Sequence, residues 1–190
     1  RSGAVPDAVA AAADAEHITP QALAEAIARG TAVLPRNAAS CRRPLAVGAG
    51  TRTKVNANIG TSPDSADLEA ELRKLGAAVQ AGADAVMDLS TGGDIDATRR
   101  EILARSPVPV GTVPVYQAFA QAVCGGRDIA TVTAADLMAA VERHAADGVD
   151  FVTVHCGVTR STVAALRAHP RVCGIVSRGG ALMAEWIVRT

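Results

Sequence analysis

Apolar runs that stop abruptly in small, polar and glycine residues are the feature that most restricts what this chain can fold into. The clearest is Asp84-Ala85-Val86-Met87-Asp88-Leu89-Ser90-Thr91-Gly92-Gly93-Asp94, which reads as a strand emptying into a loop. The pattern recurs at Val55 to Ser62, Val110 to Tyr116, Val152 to Val158 and Ile175 to Gly180. Between these runs lie longer segments with helical spacing. In one of them Leu68, Leu72, Leu75 and Val79 form an apolar stripe, with Glu69, Glu71, Arg73 and Lys74 outside it. Short strands alternating with helices mark βα units and a parallel sheet.

The spacing predicts strands over Thr53 to Ile59, Ala85 to Leu89, Pro109 to Val113, Phe151 to Val154 and Gly174 to Val176. Most intervals between their polar ends have the length of one βα unit. The longer one, from Val113 to His155, leaves room for an extra helix that Thr133-Ala134-Ala135-Asp136 opens as a capping box with Asp in place of Glu. An open doubly wound sheet and a (β/α)8 barrel both produce this alternation. Functional-looking residues at every strand end favour the TIM-type barrel, in which all βα loops converge on one face. A barrel needs eight strands and about 250 residues. The chain would then supply only the first five βα units, and its last helical pattern reaches Thr190 without a stop signal, so it reads as a fragment. Residues 1–50 read as a short N-terminal helical extension and polar connector, with Thr19-Pro20 opening the second helix, and residues 51–190 as the partial barrel domain.

Composition narrows the function classes. Lys plus Arg and Asp plus Glu are 19 each, so net charge points to neither nucleic acid nor an anionic membrane. One Trp, one Tyr and two Phe leave little for base stacking. No apolar run approaches membrane-span length, and the chain is expected to be cytoplasmic. Cys41, Cys124, Cys156 and Cys173 form no Cys-x-x-Cys pair; reduced thiols are expected, with no disulfide framework and no metal ligand among them.

The candidate site residues follow from the strand ends. Asn56 and Asn58 share one face by two-residue alternation, and an amide in a strand suggests either substrate contact or bonding to neighbouring backbone. Asp84, Val86 and Asp88 share one parity, and Ala85, Met87 and Leu89 the other. Asp88 could be an acid, base or acceptor, and Ser90 to Gly93 could offer N–H groups to an anion or be a plain turn. Tyr116 is the only tyrosine and sits at a strand end, where a rim hydrogen bond competes with a ligand role. His155 is the best acid/base or ligand candidate, against the alternative of a satisfied core histidine; His17, His144 and His169 read as surface residues. Ser177-Arg178-Gly179-Gly180, a hydroxyl, a guanidinium and helix-opening N–H groups, suits phosphate best.

From about Gly30 to Trp186 the chain resembles the phosphomethylpyrimidine synthase family of radical S-adenosylmethionine enzymes. The resemblance rests on Val55-Asn56-Ala57-Asn58-Ile59-Gly60, on ADAVMDLSTGGDID at Ala83 to Asp96, on SPVPVGTVPVY at Ser106 to Tyr116, on GVDFVTVHCGV at Gly148 to Val158 and on GIVSRGG at Gly174 to Gly180. It implies a (β/α)8 barrel that rearranges 5-aminoimidazole ribonucleotide into hydroxymethylpyrimidine phosphate, using a [4Fe–4S] cluster, S-adenosylmethionine and zinc, as a homodimer at full length. Carried over, the family's substrate contacts fall on Asn58, Met87, Tyr116, His155, Ser177, Arg178 and Gly179. Met87 would then face the substrate, and Asp88 would face outward. The family's Asp-Gly-Leu-Arg loop, its metal-binding Glu and His residues and its Cys-x-x-Cys-x4-Cys cluster motif have no counterpart among these residues. Two alternatives stay open: 5-hydroxybenzimidazole synthase, which resembles the family in motifs, and a non-catalytic ribonucleotide-binding module.

Overall fold

A computed structural model describes residues 5–190. The chain opens with α1 (Asp7–Ala15) and α2 (Pro20–Ala28). Thr19 caps α2 by accepting the Ala22 N–H at 3.2 Å, with Pro20 at the first helical position as the sequence suggests. Small side chains let the two helices approach closely, and Ala12, Ala13, Leu23, Ala26, Ala32 and Ala46 form their shared core. The N-terminal region is not purely helical. β1 (Ala32–Val33) and β2 (Val47–Gly48) pair antiparallel and close the base of the connector, where Gly48 has φ 145° and lies against Thr31 and Ala32.

The connector itself is pinned to the rest of the chain. Asp150 accepts a hydrogen bond from the Asn37 amide at 3.0 Å and one from Arg42 Nη1 at 2.9 Å, while Arg42 Nη2 donates to the Leu103 carbonyl at 2.7 Å. The same carboxylate accepts the Val110 N–H at 2.9 Å, so one buried acid holds three segments together.

The central sheet has four parallel strands in sequential order: β3 (Asn56–Ile59), β4 (Ala85–Asp88), β5 (Val110–Thr112) and β6 (Phe151–Val152). Between them run α3 (Leu68–Gln80), α4 (Ile95–Arg105), α5 (Pro114–Cys124) and α6 (Ala134–Ala146). α7 (Arg160–Ala168) and α8 (Arg178–Arg189) follow β6. Short polar side chains set where helices begin: Asp67, Asp94, Thr133, Thr159 and Ser177 each accept a backbone N–H from the first turn, and Thr133 with Asp136 forms the expected capping box.

Two apolar cores flank the sheet. On the face covered by α3 and α4, Ile59, Val86 and Val110 pack with Leu72, Leu75, Ile102 and Leu103, and burying each such side chain contributes about 1.5–3 kcal/mol. On the other side Val113, Val115, Phe119, Ala122 and Val132 form a second cluster, against which Met87, Leu89, Tyr116, Leu182 and Trp186 pack. Val86 and Met87 thus face opposite ways, as strand alternation requires.

Two expectations are corrected here. Gly174 to Val176 forms no strand, because Gly174 turns with φ 60° and Ile175 and Val176 stay 37% and 76% exposed instead of entering the ladder beside β6. The sheet therefore ends at β6, whose own Val152 and the following Val154 are also exposed. His144 is not a surface residue: it is 3% exposed, because α6 turns that side of its last turn onto α5 and β5.

Candidate ligand-binding site

The register across the sheet sets the first layer of the site. Asn58 pairs with Met87 and Met87 with Gly111, so these residues form one row near the strand ends. Asn58 Oδ1 accepts the Asn56 Nδ2–H at 3.1 Å, and the Thr153 hydroxyl reaches Met87 Sδ at 3.7 Å. Gly111 is required in this row because a Cβ there would lie 2.2 Å from the Phe151 ring, which crosses it from β6. Phe151 was not singled out from sequence; a glycine facing an aromatic residue on the next strand is visible only once the register is known.

The loops beyond β3 and β4 form a joined scaffold. Asp88 is buried on the parity of Val86 and accepts both the N–H and the hydroxyl of Ser90, at 2.9 and 2.5 Å. Burial pushes the Asp88 carboxyl up, against the lowering effect of those two bonds. Ser90 Oγ accepts the Thr61 N–H at 3.1 Å, and Thr61 O accepts the Thr91 N–H at 2.9 Å. The Ser90 and Thr91 amides are therefore spent within the protein, which removes them from the anion-binding role the sequence allowed for this loop. Gly92 packs so closely on the Ser62 backbone that an added Cβ would meet it at 2.3 Å. On the other side of β3, the buried Glu71 accepts the Gly60 N–H at 2.6 Å and pairs with Lys74 at 2.5 Å.

These loops enclose a cleft of about 390 Å3 lined by Asn58, Thr61, Ser62, Lys74, Tyr116 and Arg178, among others. The guanidinium of Arg178 lies over the Tyr116 ring, 5.7 Å from its centroid, and Nη1 donates to Thr91 Oγ1 at 3.3 Å. Three of the seven candidates meet in this cleft. His155, Ser177 and Gly179 gather beside it at the start of α8: Ser177 Oγ lies 3.4 Å from His155 Nε2, and a Cβ on Gly179 would come within 2.2 Å of the His155 ring. His155 Nδ1 is buried with no hydrogen-bond partner among the described residues. The His155 side chain borders a separate cleft of about 250 Å3, and Met87 lines neither of the two.

A second polar cluster, between sheet and helices, escaped the sequence reading. Arg99 is fully buried, paired with Asp96 and Asp147, and donates from Nη1 to Gln117 Oε1 at 2.6 Å. The same oxygen lies 2.6 Å from His144 Nε2, and the opposite ring nitrogen lies 2.7 Å from the Thr112 hydroxyl. Gln117 directs its amide nitrogen to Asp96 at 2.8 Å, so its oxygen is an acceptor; His144 carries its proton on Nε2, and Thr112 donates to Nδ1. Burial, with the nearby Arg99 charge, lowers the His144 pKa to about 4. The signal available in the sequence was weak: a histidine in the last turn of an amphipathic helix.

All four cysteines are free and exposed, and among the described residues no three His, Cys, Asp or Glu side chains are grouped to hold a metal ion. Nor, among the same residues, is any helix long and apolar enough to cross a membrane.

Known proteins give the geometry its context. The Radical SAM ThiC family matches residues 1–190. A phosphomethylpyrimidine synthase of Thermodesulfovibrio yellowstonii is 48% identical over 187 residues, covering 98% of this chain and 44% of that protein. The phosphomethylpyrimidine synthase of Geobacter metallireducens is 49% identical over 189 residues, covering 98% and 43%. That of Pyrococcus abyssi is 46% identical over 189 residues, covering 99% and 44%. The chain thus spans less than half the length of these relatives, and on a match that runs its whole extent it belongs to the Radical SAM ThiC family.

Proposed function

We propose that this chain supplies the substrate-holding part of a phosphomethylpyrimidine synthase, a carbon–carbon lyase of the radical S-adenosylmethionine type in thiamine biosynthesis. The substrate is 5-aminoimidazole ribonucleotide and the product 4-amino-5-hydroxymethyl-2-methylpyrimidine phosphate. The observation that carries this reading is the convergence of Asn58, Tyr116 and Arg178 on one cleft in a chain of this family. Arg178, with the Arg178 and Gly179 N–H groups at the start of α8, holds the phosphate, since a guanidinium and helix N–H groups both favour a dianion; the Gly180 N–H is taken by Ser177 Oγ at 3.2 Å. The Asn58 amide and the Tyr116 ring orient the base and sugar. His155, held against Gly179, offers an imidazole to a ligand atom, and Met87 presents an apolar thioether to the same side of the sheet.

The four sequential parallel strands are the first half of a (β/α)8 barrel, residues 1–50 being its N-terminal extension. In the complete protein, iron–sulfur chemistry would be the source of a radical from S-adenosylmethionine, and none of the residues described here takes part in that step. The cysteines present here do not fit a cluster, so the [4Fe–4S] ligands and the zinc ligands belong to chain outside these residues. The complete protein is a homodimer in this reading.

The test is Arg178→Ala in the protein at its natural full length. Loss of a charge-assisted hydrogen bond weakens ribonucleotide binding by about 1.5–3 kcal/mol, read by titration calorimetry. Unchanged affinity would take Arg178 out of the site.

A further inference from the structure

The polar groups that follow β4 do not line the cleft, yet they connect, bond by bond, to the guanidinium of Arg178, a residue that does. We infer that Thr91 is a positioning residue for Arg178, the last link of a hydrogen-bonded chain that starts at the buried Asp88 carboxylate and fixes the direction in which the guanidinium meets an anionic ligand. This rests on the reading of Arg178 as the phosphate contact.

Each link has a determined donor. Asp88 Oδ1 accepts from Ser90 N and Oγ, which leaves the Ser90 oxygen to accept the Thr61 N–H. Thr61 is 3% exposed and donates its own hydroxyl to the Gly92 carbonyl at 2.7 Å. Its carbonyl takes both the N–H of Thr91, at 2.9 Å, and the Thr91 hydroxyl, at 3.4 Å. With its hydrogen committed there, Thr91 Oγ1 presents a lone pair outward, and Arg178 Nη1 donates to it at 3.3 Å. The Tyr116 ring supports the guanidinium face from β5's end of the cleft. An exposed arginine otherwise samples many rotamers, and ordering it when the ligand arrives costs affinity. Two supports, one in the loop after β4 and one in the first turn of α5, meet that cost in advance.

The experiment uses the protein at its natural full length and two ligands, 5-aminoimidazole ribonucleotide and its dephosphorylated riboside. Thr91→Val removes the acceptor while keeping the side-chain shape, Thr91→Ser keeps it, and both are compared with Arg178→Ala and the Thr91→Val/Arg178→Ala pair. Thr91→Val is expected to raise the ribonucleotide Kd about fivefold to tenfold and leave the riboside Kd unchanged. Thr91→Ser should stay close to the parent, and Thr91→Val should cost nothing further once Arg178 is alanine. Parent-like ribonucleotide affinity in Thr91→Val, alongside weakened binding in Arg178→Ala, overturns the inference. So does equal weakening for both ligands, which would mark a loop that has simply loosened. If Arg178→Ala itself binds normally, the phosphate assignment fails first and takes the inference with it.

Discussion

Gly179→Ala isolates the contact between α8 and His155. A Cβ built at this position lies 2.2 Å from His155 Cε1, 2.3 Å from Nε2 and 2.9 Å from Nδ1. Ordinary contact begins near 3.4 Å, so the imidazole has to retreat by roughly 1 Å, and its 3.4 Å approach to Ser177 Oγ is lost. Backbone strain plays no part, since Gly179 is not among the residues with positive φ. Two effects then compete. Alanine is a better helix former than glycine by about 0.5–1 kcal/mol, a gain that shrinks in the first turn, whereas overpacking costs about 1–3 kcal/mol. Overpacking wins, and the expected net loss is about 1 kcal/mol, together with weaker ribonucleotide binding because His155 is displaced. Gly180→Ala is the control: its added carbon meets Ile175 at 3.2 Å and Ser177 at 3.4 Å, distances that small shifts relieve. Thermal unfolding and titration calorimetry on the pair give the readout. A Gly179→Ala protein as stable as Gly180→Ala, with parent affinity, would refute the packing of His155 on this turn.

The buried cluster around Arg99 makes two further predictions. His144 has a folded pKa of about 4 against an ordinary value of 6.5, so it folds neutral, and its contribution is fully present above pH 6.5 and lost as pH falls towards 4. Arg99 and Arg143 oppose its charging and Asp96 and Asp147 favour it; unfolding free energies from denaturant titrations between pH 7.5 and pH 4 should show a slope of up to about 1.4 kcal/mol per pH unit that His144→Gln lacks, and parallel curves would disprove it. Arg99→Ala leaves Asp96, Asp147 and Gln117 without their buried partner and should destabilise the fold by about 3–5 kcal/mol in chemical denaturation. A loss under about 1 kcal/mol would mean the acids are solvated well enough without it.

Strands β3, β4 and β5 were readable because an apolar run ending in Asn, Asp or Thr is a local pattern, and α2 and α6 were readable because Thr19 and Thr133 carry their caps in the adjacent residues. Alternation also required Met87 and Asp88 to face opposite sides, though not which side; the cores show that Asp88 shares the parity of Val86, whose side chain packs against α3 and α4. Gly174 to Val176 had the composition of a strand and did not become one, because pairing needs a partner at the right distance and Gly174 turns the chain away first.

Periodicity, capping and strand parity act over a few residues, and the amino-acid sequence by itself determined them here, along with the family and the polar ends of β3, β4 and β5. Tertiary structure alone decided that His144 is buried, that Phe151 lies across Gly111, that Gly179 seats the His155 ring and that Arg178 reaches Thr91. The reason is physical: these contacts join residues up to 87 positions apart, and whether they form depends on sheet register and helix docking, which no local pattern encodes.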